Sequence, residues 1–271
     1  MAKMENKKIC FLGAGNIAEA IISGIINSDK SIRKNIIATD IRKERLTYIS
    51  NKFGIKVSTD NINAVRESDI IVIAVKPQQI KNLLEEISGK IKSSQLVISV
   101  AAGITTKYIE SFLGKVPVIR TMPNTPVLVQ EGMIAYCKGK YAKKEHENLV
   151  KELFESVGKV IHLDEKLFNA VTAVSGSGPA YIFYFAESLI KSAEKLGIER
   201  KTAKILTIQT ILGASKLMKS SDDEPEILRA KVTSPGGTTE QAINTFEKNK
   251  LHKIIEKAVT SAWKRAKQLS K

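Results

Sequence analysis

Two short runs, IIVIAV (Ile70–Val75) and LVISV (Leu96–Val100), constrain the fold most, because they are apolar at almost every position. A strand with one wet face must alternate apolar and polar residues. Runs like these therefore belong to strands covered on both faces, as in a parallel sheet flanked by helices. Further β-rich runs lie at Lys8–Gly13, Ile36–Thr39 and Val116–Arg120, separated by amphipathic stretches at Asn16–Asn27, Glu44–Phe53, Pro77–Ile87 and Thr105–Leu113. This strand–helix alternation predicts a doubly wound α/β domain with right-handed crossovers. Two more strand candidates, Met133–Cys137 and Val160–Leu163, flank a helix at about Lys143–Val157.

Beyond Asp164 the strand signal stops and the periodicity is helical. One long segment covers Pro179–Leu196 and is closed by Gly197 as a C-terminal glycine. A second covers Arg200–Lys219. The polar break SSDDEP (Ser220–Pro225), a short helix and the turn SPGG (Ser234–Gly237) follow, with helical patterns to the end. The expected division is an α/β domain over residues 1–164 and an all-α domain over 165–271.

Composition narrows the function classes. At 43% hydrophobic and 26% charged residues, the chain of 271 residues reads as globular. Its apolar runs are far shorter than the ~20 residues that span a bilayer, so no membrane association is expected. The charged start, MAKMENKK, lacks the apolar region and cleavage site of a leader. Cys10 and Cys137 cannot build a disulfide framework, which fits a reducing cytoplasm. The net charge of +15 raises nucleic acid, a membrane surface or small anions as partners. Yet the basic and acidic residues number 25 and 17 in residues 1–164, and 18 and 11 in residues 165–271. Charge spread this evenly, with one Trp and no base-stacking platform, reads as a solvated lysine-rich surface and not as a nucleic-acid site.

The first strand runs into GAGNIA (Gly13–Ala18), which opens a helix. In this G-x-G-x-x-A pattern Gly13 permits a tight turn, Gly15 lets the backbone approach a pyrophosphate, and the small Ala18 lets helix and strand pack closely. The helix N-terminus offers free amides and a positive dipole end to the anion. The second strand ends at Thr39-Asp40, where an acidic residue usually receives ribose hydroxyls, while Arg42 and Lys43 nearby could accommodate a 2′-phosphate. NAD and NADP both stay open. His146, His162 and His252 lack metal-ligand spacing, SGSGP (Ser175–Pro179) lacks the nucleophile-elbow pattern, and there is no phosphate-loop lysine motif. Hydride chemistry carried by a cofactor remains.

In the second half, VTSPGGTTEQAI (Val232–Ile243) combines a Pro-Gly-Gly turn with Thr238 and Gln241 at capping-box spacing. It reads as a loop feeding a helix N-terminus that can hold a carboxylate, although an ordinary capped helix start accounts for it better when taken alone.

Six stretches, GAGNIA (13–18), AVKP (74–77), VAAG (100–103), RTMPNTP (120–126), SGSGPAY (175–181) and LRAKVTSPGGTTEQAINTFE (228–247), resemble the pyrroline-5-carboxylate reductases in order and spacing. The resemblance covers nearly the whole chain. It implies NADPH- or NADH-dependent reduction of 1-pyrroline-5-carboxylate to L-proline, the last step of proline biosynthesis. It also implies a Rossmann-like domain followed by an all-α dimerisation domain. Carried over residue by residue, Gly13, Ala14, Gly15, Asn16, Ile17 and Ala18 would bind the pyrophosphate. Ala74, Val75, Lys76 and Pro77 would contact the adenosine-side ribose and linker, with Asn61 and the Thr39, Asp40, Arg42 group beside them. Ala101, Ala102, Gly103, Met122 and Asn124 would border the nicotinamide. Backbone amides around Ser234, Gly237, Thr238 and Thr239 would hold the substrate carboxylate, and the Thr239 hydroxyl would be the catalytic contact to the ring nitrogen. Asp40 stands where relatives often carry Ser or Arg for the 2′-phosphate, and Lys231 where some carry Asn. A homodimer or a ring of dimers is expected, since the family's C-terminal helices interleave between subunits.

The nearest rival is another imine or hydroxyacid dehydrogenase of the same two-domain plan, such as the 6-phosphogluconate and β-hydroxyacid group, whose members need a Lys on the helix after the glycine-rich interdomain segment. Here that helix reads SGSGPAYIFYFAESLIK, apolar and aromatic where the Lys would fall. A non-catalytic dinucleotide-binding protein is the other alternative.

Overall fold

The computed structural model describes residues 6–270; the charged start at Met1–Glu5 and the final Lys271 lie outside them. The chain runs through β1 (Ile9–Leu12), α1 (Asn16–Ser28), β2 (Ile36–Thr39), α2 (Lys43–Phe53), β3 (Lys56–Ser58), α3 (Asn61–Arg66), β4 (Ile70–Ile73) and α4 (Ile80–Ile87). It continues with β5 (Leu96–Ser99), α5 (Thr106–Leu113), β6 (Val118–Met122), β7 (Gly132–Lys138), α6 (Lys144–Glu155) and β8 (Gly158–His162). The strands form one sheet in the order β3-β2-β1-β4-β5-β6-β7-β8. Pairing is parallel from β3 to β6, antiparallel between β6 and β7, and parallel again between β7 and β8.

The apolar runs have a simple cause. Successive strand residues point to opposite faces, and both faces are covered. Ile9 and Phe11 of β1 join a core with α1, α2 and α6, whereas Cys10 and Leu12 join a second core with α3, α4 and α5. The doubly wound expectation therefore holds. Three details differ. The strand expected at Val116–Arg120 is Val118–Met122, so it carries the motif's Arg120 and Met122 within the sheet. The edge strand β3 and the helix α3 gave no period long enough to read.

After β8 come a short helix, α7 (Phe168–Val171), and a π-helical turn at Thr172–Gly176. The second half then forms α8 (Gly178–Lys195), α9 (Arg200–Ser220), α10 (Pro225–Lys231), α11 (Thr238–Lys248) and α12 (Leu251–Leu269). Gly197, at φ 90°, ends α8: the Ile198 N–H bonds the Ala193 carbonyl and the Gly197 N–H bonds the Glu194 carbonyl, the paired closure of a left-handed glycine cap. Two compact units result, one of residues up to Ser177 with the last stretch from Ala262, the other Gly178–Ser261. In the second unit α8 and α9 leave Phe183, Tyr184, Ile205 and Ile208 at least half exposed. Among the described residues no helix is long and apolar enough to cross a membrane.

Candidate functional site

The strand order reverses between β1 and β4, and ligands of open α/β sheets bind at that switch, beyond the C-terminal strand ends. Gly13 sits there at φ 96°, and a Cβ on it would come 2.8 Å from the Ala74 carbonyl oxygen. Only glycine tolerates both conditions. The GAGNIA and AVKP stretches thus meet where the topology asks. Gly15 is the N-cap of α1, has no capping side chain, and would meet nothing within 4 Å with a Cβ. Open space before a helix N-terminus is a cradle that a pyrophosphate fits. Ala18 is fully buried against the sheet; Asn16 is exposed and Ile17 half-buried.

Between the two glycines the Ala14 peptide is gripped on both sides. Its N–H donates to Asp40 Oδ2 at 3.1 Å, and its carbonyl accepts from Arg45 Nε at 2.6 Å. The Arg45 guanidinium also pairs with Glu19 of α1, whose carboxylate accepts from Lys52 at 2.8 Å and Tyr48 at 3.0 Å. Arg45 carries no signal in the sequence, because its contact reaches across 31 positions and has no local pattern.

Asp40 also accepts from the Arg42 backbone N–H at 3.0 Å and from Arg42 Nε and Nη2, each at 2.9 Å. Burial opposes its ionisation. The Arg42 guanidinium and the Arg42 and Ala14 amides outweigh that and hold its carboxyl at about 2. With two donors on each oxygen, Asp40 braces the turn and Arg42, and reaches a ribose only by releasing one of them. Beside it the Thr39 hydroxyl donates to Asn61 Oδ1 at 2.6 Å, and Asn61 Nδ2 donates to Glu86 at 3.0 Å. Lys76 and Pro77 are exposed just past the end of β4.

At the other end of the cleft side of the sheet, Ala101 is buried and Ala102 exposed, and Gly103 takes φ 74°. A Cβ on Gly103 would come 2.8 Å from the Leu269 carbonyl, so the end of α12 lies against this loop. Met122 packs its Cε methyl towards Gly176, where a Cβ would come 2.8 Å from it. Asn124 uses both ends of its amide internally: Nδ2 donates to the Ser175 carbonyl at 3.0 Å, and Oδ1 accepts the Met133 N–H at 2.8 Å.

In the second unit Ser234–Gly237 is a turn closed by the Gly237 N–H on the Ser234 carbonyl at 3.0 Å, with Pro235 and then Gly236 at φ 74° in the centre. That is a type II turn. The expected capping box on Thr238 and Gln241 is not formed: Gly237 is the N-cap of α11, and it is Glu240 that reaches back, accepting the Gly236 N–H at 2.9 Å. The turn consumes the Gly237 amide, which leaves those of Thr238 and Thr239 as first-turn donors. Thr239 is half-buried and Ser234 exposed.

Neither cysteine competes for the chemistry. Burial pushes both thiols up, Cys137 to about 12, so neither supplies a thiolate at neutral pH. Among the described residues no three His, Cys, Asp or Glu side chains cluster as metal ligands.

A doubly wound sheet with an anion cradle at its switch point is the architecture of a dinucleotide-binding domain, and residues 8–103 match the family described as NADP oxidoreductase, coenzyme F420-dependent. Residues 165–269 match the family described as pyrroline-5-carboxylate reductase dimerisation. The chain is 40% identical over 269 residues to a pyrroline-5-carboxylate reductase of Methanosarcina acetivorans, covering 99% of this chain and 100% of that one. It is 36% identical over 268 residues to pyrroline-5-carboxylate reductase 1 of Bacillus subtilis, covering 98% and 90%. The solved pyrroline-5-carboxylate reductase of Coxiella burnetii superposes with a TM-score of 0.92 at 40% identity, covering 98% of this chain and 99% of that one. The Plasmodium falciparum pyrroline carboxylate reductase, solved with NADP bound, gives 0.89 at 33% identity, covering 99% and 100%. The chain belongs to the pyrroline-5-carboxylate reductases. It is an oxidoreductase that reduces the C=N bond of 1-pyrroline-5-carboxylate to give L-proline at the expense of NADPH or NADH.

Proposed function

We propose that the two halves of the chain divide this reaction, residues 1–164 holding the dinucleotide and residues 165–271 the imine. The observation that carries the reading is the gripped Ala14 peptide, which fixes the turn in a shape that leaves Gly15 open. Gly13–Ala18 hold the pyrophosphate, with Thr39, Asp40, Arg42 and Asn61 on the adenosine ribose and Ala74–Pro77 along the linker. Ala101–Gly103, Met122 and Asn124 border the nicotinamide. Arg42 is the cation for a 2′-phosphate when NADPH is the donor.

The reduced nicotinamide, when bound, supplies the hydride. What the chain does is bind and orient. The Thr238 and Thr239 amides hold the substrate carboxylate at the positive end of α11. The Thr239 hydroxyl lies on the ring nitrogen and steadies its proton. A protonated imine is already electrophilic, so alignment and charge handling dominate and no strong base is required. The exposed apolar faces of α8 and α9 are covered by a second copy, giving a homodimer from which a ring of dimers can be built. Two unpaired, buried cysteines support a cytoplasmic location.

The test is nicotinamide oxidation, followed by absorbance, with 1-pyrroline-5-carboxylate and each cofactor in turn. Oxidation with at least one cofactor is expected. None with either overturns the reading.

A further inference from the structure

Arg120 is the largest fully buried side chain among the described residues, a cation within a strand that is buried along its whole length. It lies 2% exposed with Nη1 at 3.1 Å from Glu165 Oε1, and its guanidinium stacks over the Phe168 ring at 4.7 Å. Its Nε and Nη2 are buried without a hydrogen-bond partner among the described residues. A buried, half-satisfied cation is poor use of a core position if stability is all that matters, since a well-packed apolar residue does at least as well. The Glu165 carboxylate does more than pair with it. Oε1 also accepts the Thr106 N–H at 2.8 Å and Oε2 accepts the Thr106 hydroxyl at 2.8 Å. Thr106 opens α5 three residues after the Ala101–Gly103 loop, and Arg120 precedes Met122 by two on β6. One carboxylate therefore ties both chain segments that border the nicotinamide, and each tie sits within a few residues of that border.

The same segment is fastened again further along. Residues 120 and 122 share a face of β6, and on it Phe168 packs with Met122, Ala135 and Cys137. Met122 then meets Gly176, and Asn124 holds the Ser175 carbonyl. Residues 165–177, π-helical turn included, are stitched to the RTMPN stretch at 165, 168, 175 and 176.

We infer that Arg120, Glu165 and Thr106 form a positioning network that sets the spacing between the 101–103 loop and the end of β6, and so the placement of the nicotinamide ring. This rests on the nicotinamide border assigned above. None of the three is a catalytic residue; each acts through the loop it holds. Removing the Glu165 charge weakens both ties at once and leaves the glycine turn, at the end of β1, untouched.

The experiment compares wild type with Glu165→Gln, Thr106→Val and Thr106→Ser in three readouts: turnover, NADPH affinity by fluorescence, and affinity for ADP-ribose, which reports the adenosine side alone. Glu165→Gln should lower kcat at least about tenfold and weaken NADPH binding, with ADP-ribose affinity held within about twofold. Thr106→Val should lower kcat less, and Thr106→Ser should restore it. A folded Glu165→Gln protein with wild-type kcat and NADPH affinity overturns the inference. So does a parallel loss of ADP-ribose binding, which marks general damage. If Glu165→Gln does not fold, the Thr106 pair decides on the same criteria. Should wild type turn over with neither cofactor, the reading of the reaction fails instead, and the two affinities still decide the network.

Discussion

Gly13 joins three requirements at one residue: a left-handed backbone at φ 96°, a place at the end of β1, and contact with the Ala74 carbonyl. Alanine there must bear the left-handed penalty of about 1–2 kcal/mol and also push β4's end aside. Gly13→Ala should lower the melting temperature and abolish NADPH binding together, read by calorimetry and fluorescence titration. Asp40 makes a second local case. Its carboxyl, normally near 3.8, is held at about 2 by Arg42 and two amides after burial has opposed them. A depressed carboxylate stabilises the fold fully above its unfolded value and loses that contribution as pH falls through about 2. Asp40→Asn should therefore cost stability at neutral pH, and its difference from wild type should shrink below about pH 4, seen in acid-unfolding curves. Thr239 carries the third. If its hydroxyl steadies the ring nitrogen, Thr239→Ala should lower kcat about tenfold or more while the NADPH dissociation constant stays within about twofold. Equal loss of cofactor binding would place that residue elsewhere.

Helices α8 and α9 test the dimer. On α9, Ile205, Ile208 and Leu212 recur at helical spacing and are 62%, 50% and 44% exposed. A stripe of that kind on a folded chain marks a surface awaiting a partner. Ile208→Glu should shift the protein toward monomer in sedimentation velocity with its helix content kept; unchanged mass would remove this face from the interface. The sheet's central strands were legible because burial on both faces leaves continuous apolar runs. The edge strand β3 was not, since Lys56-Val57-Ser58 offers one apolar residue and no period. Helix α3 is six residues long and announces itself only by the Asp60 carboxylate capping the Asn63 amide at 3.0 Å. The glycine turn could be read because its backbone admits little else. Arg45 on Ala14 and Glu165 on Arg120 could not, since these bonds span 31 and 45 positions and depend on where long side chains end. The cap on α11 falls on Gly237, one residue before the expected Thr238, because the preceding type II turn ends on Gly237.

The charge of +15 acts on the molecule as a field. The dinucleotide is an anion and the substrate carries a carboxylate, and a positive field raises the capture rate of anions until salt screens it, with a Debye length of about 10 Å at 0.1 M. How steep that dependence is depends on the cations beside the cradle, and these are mostly spent: Arg42 pairs with Asp40 at 2.9 Å, and Arg45 and Lys52 share Glu19. Lys43, exposed on the first turn of α2, and Lys76, exposed past the end of β4, have no carboxylate within salt-bridge reach among the described residues. The evenly spread remainder adds a weak, long-range pull. Raising salt from about 0.05 to 0.5 M should then lower kcat/KM for NADPH only a few-fold and leave kcat nearly constant, because screening slows encounter and not hydride transfer. A fall of several orders of magnitude would require a cluster of free cations at the phosphates. Comparing the slopes for NADPH and NADH isolates the share of Arg42, since only NADPH carries the 2′-phosphate.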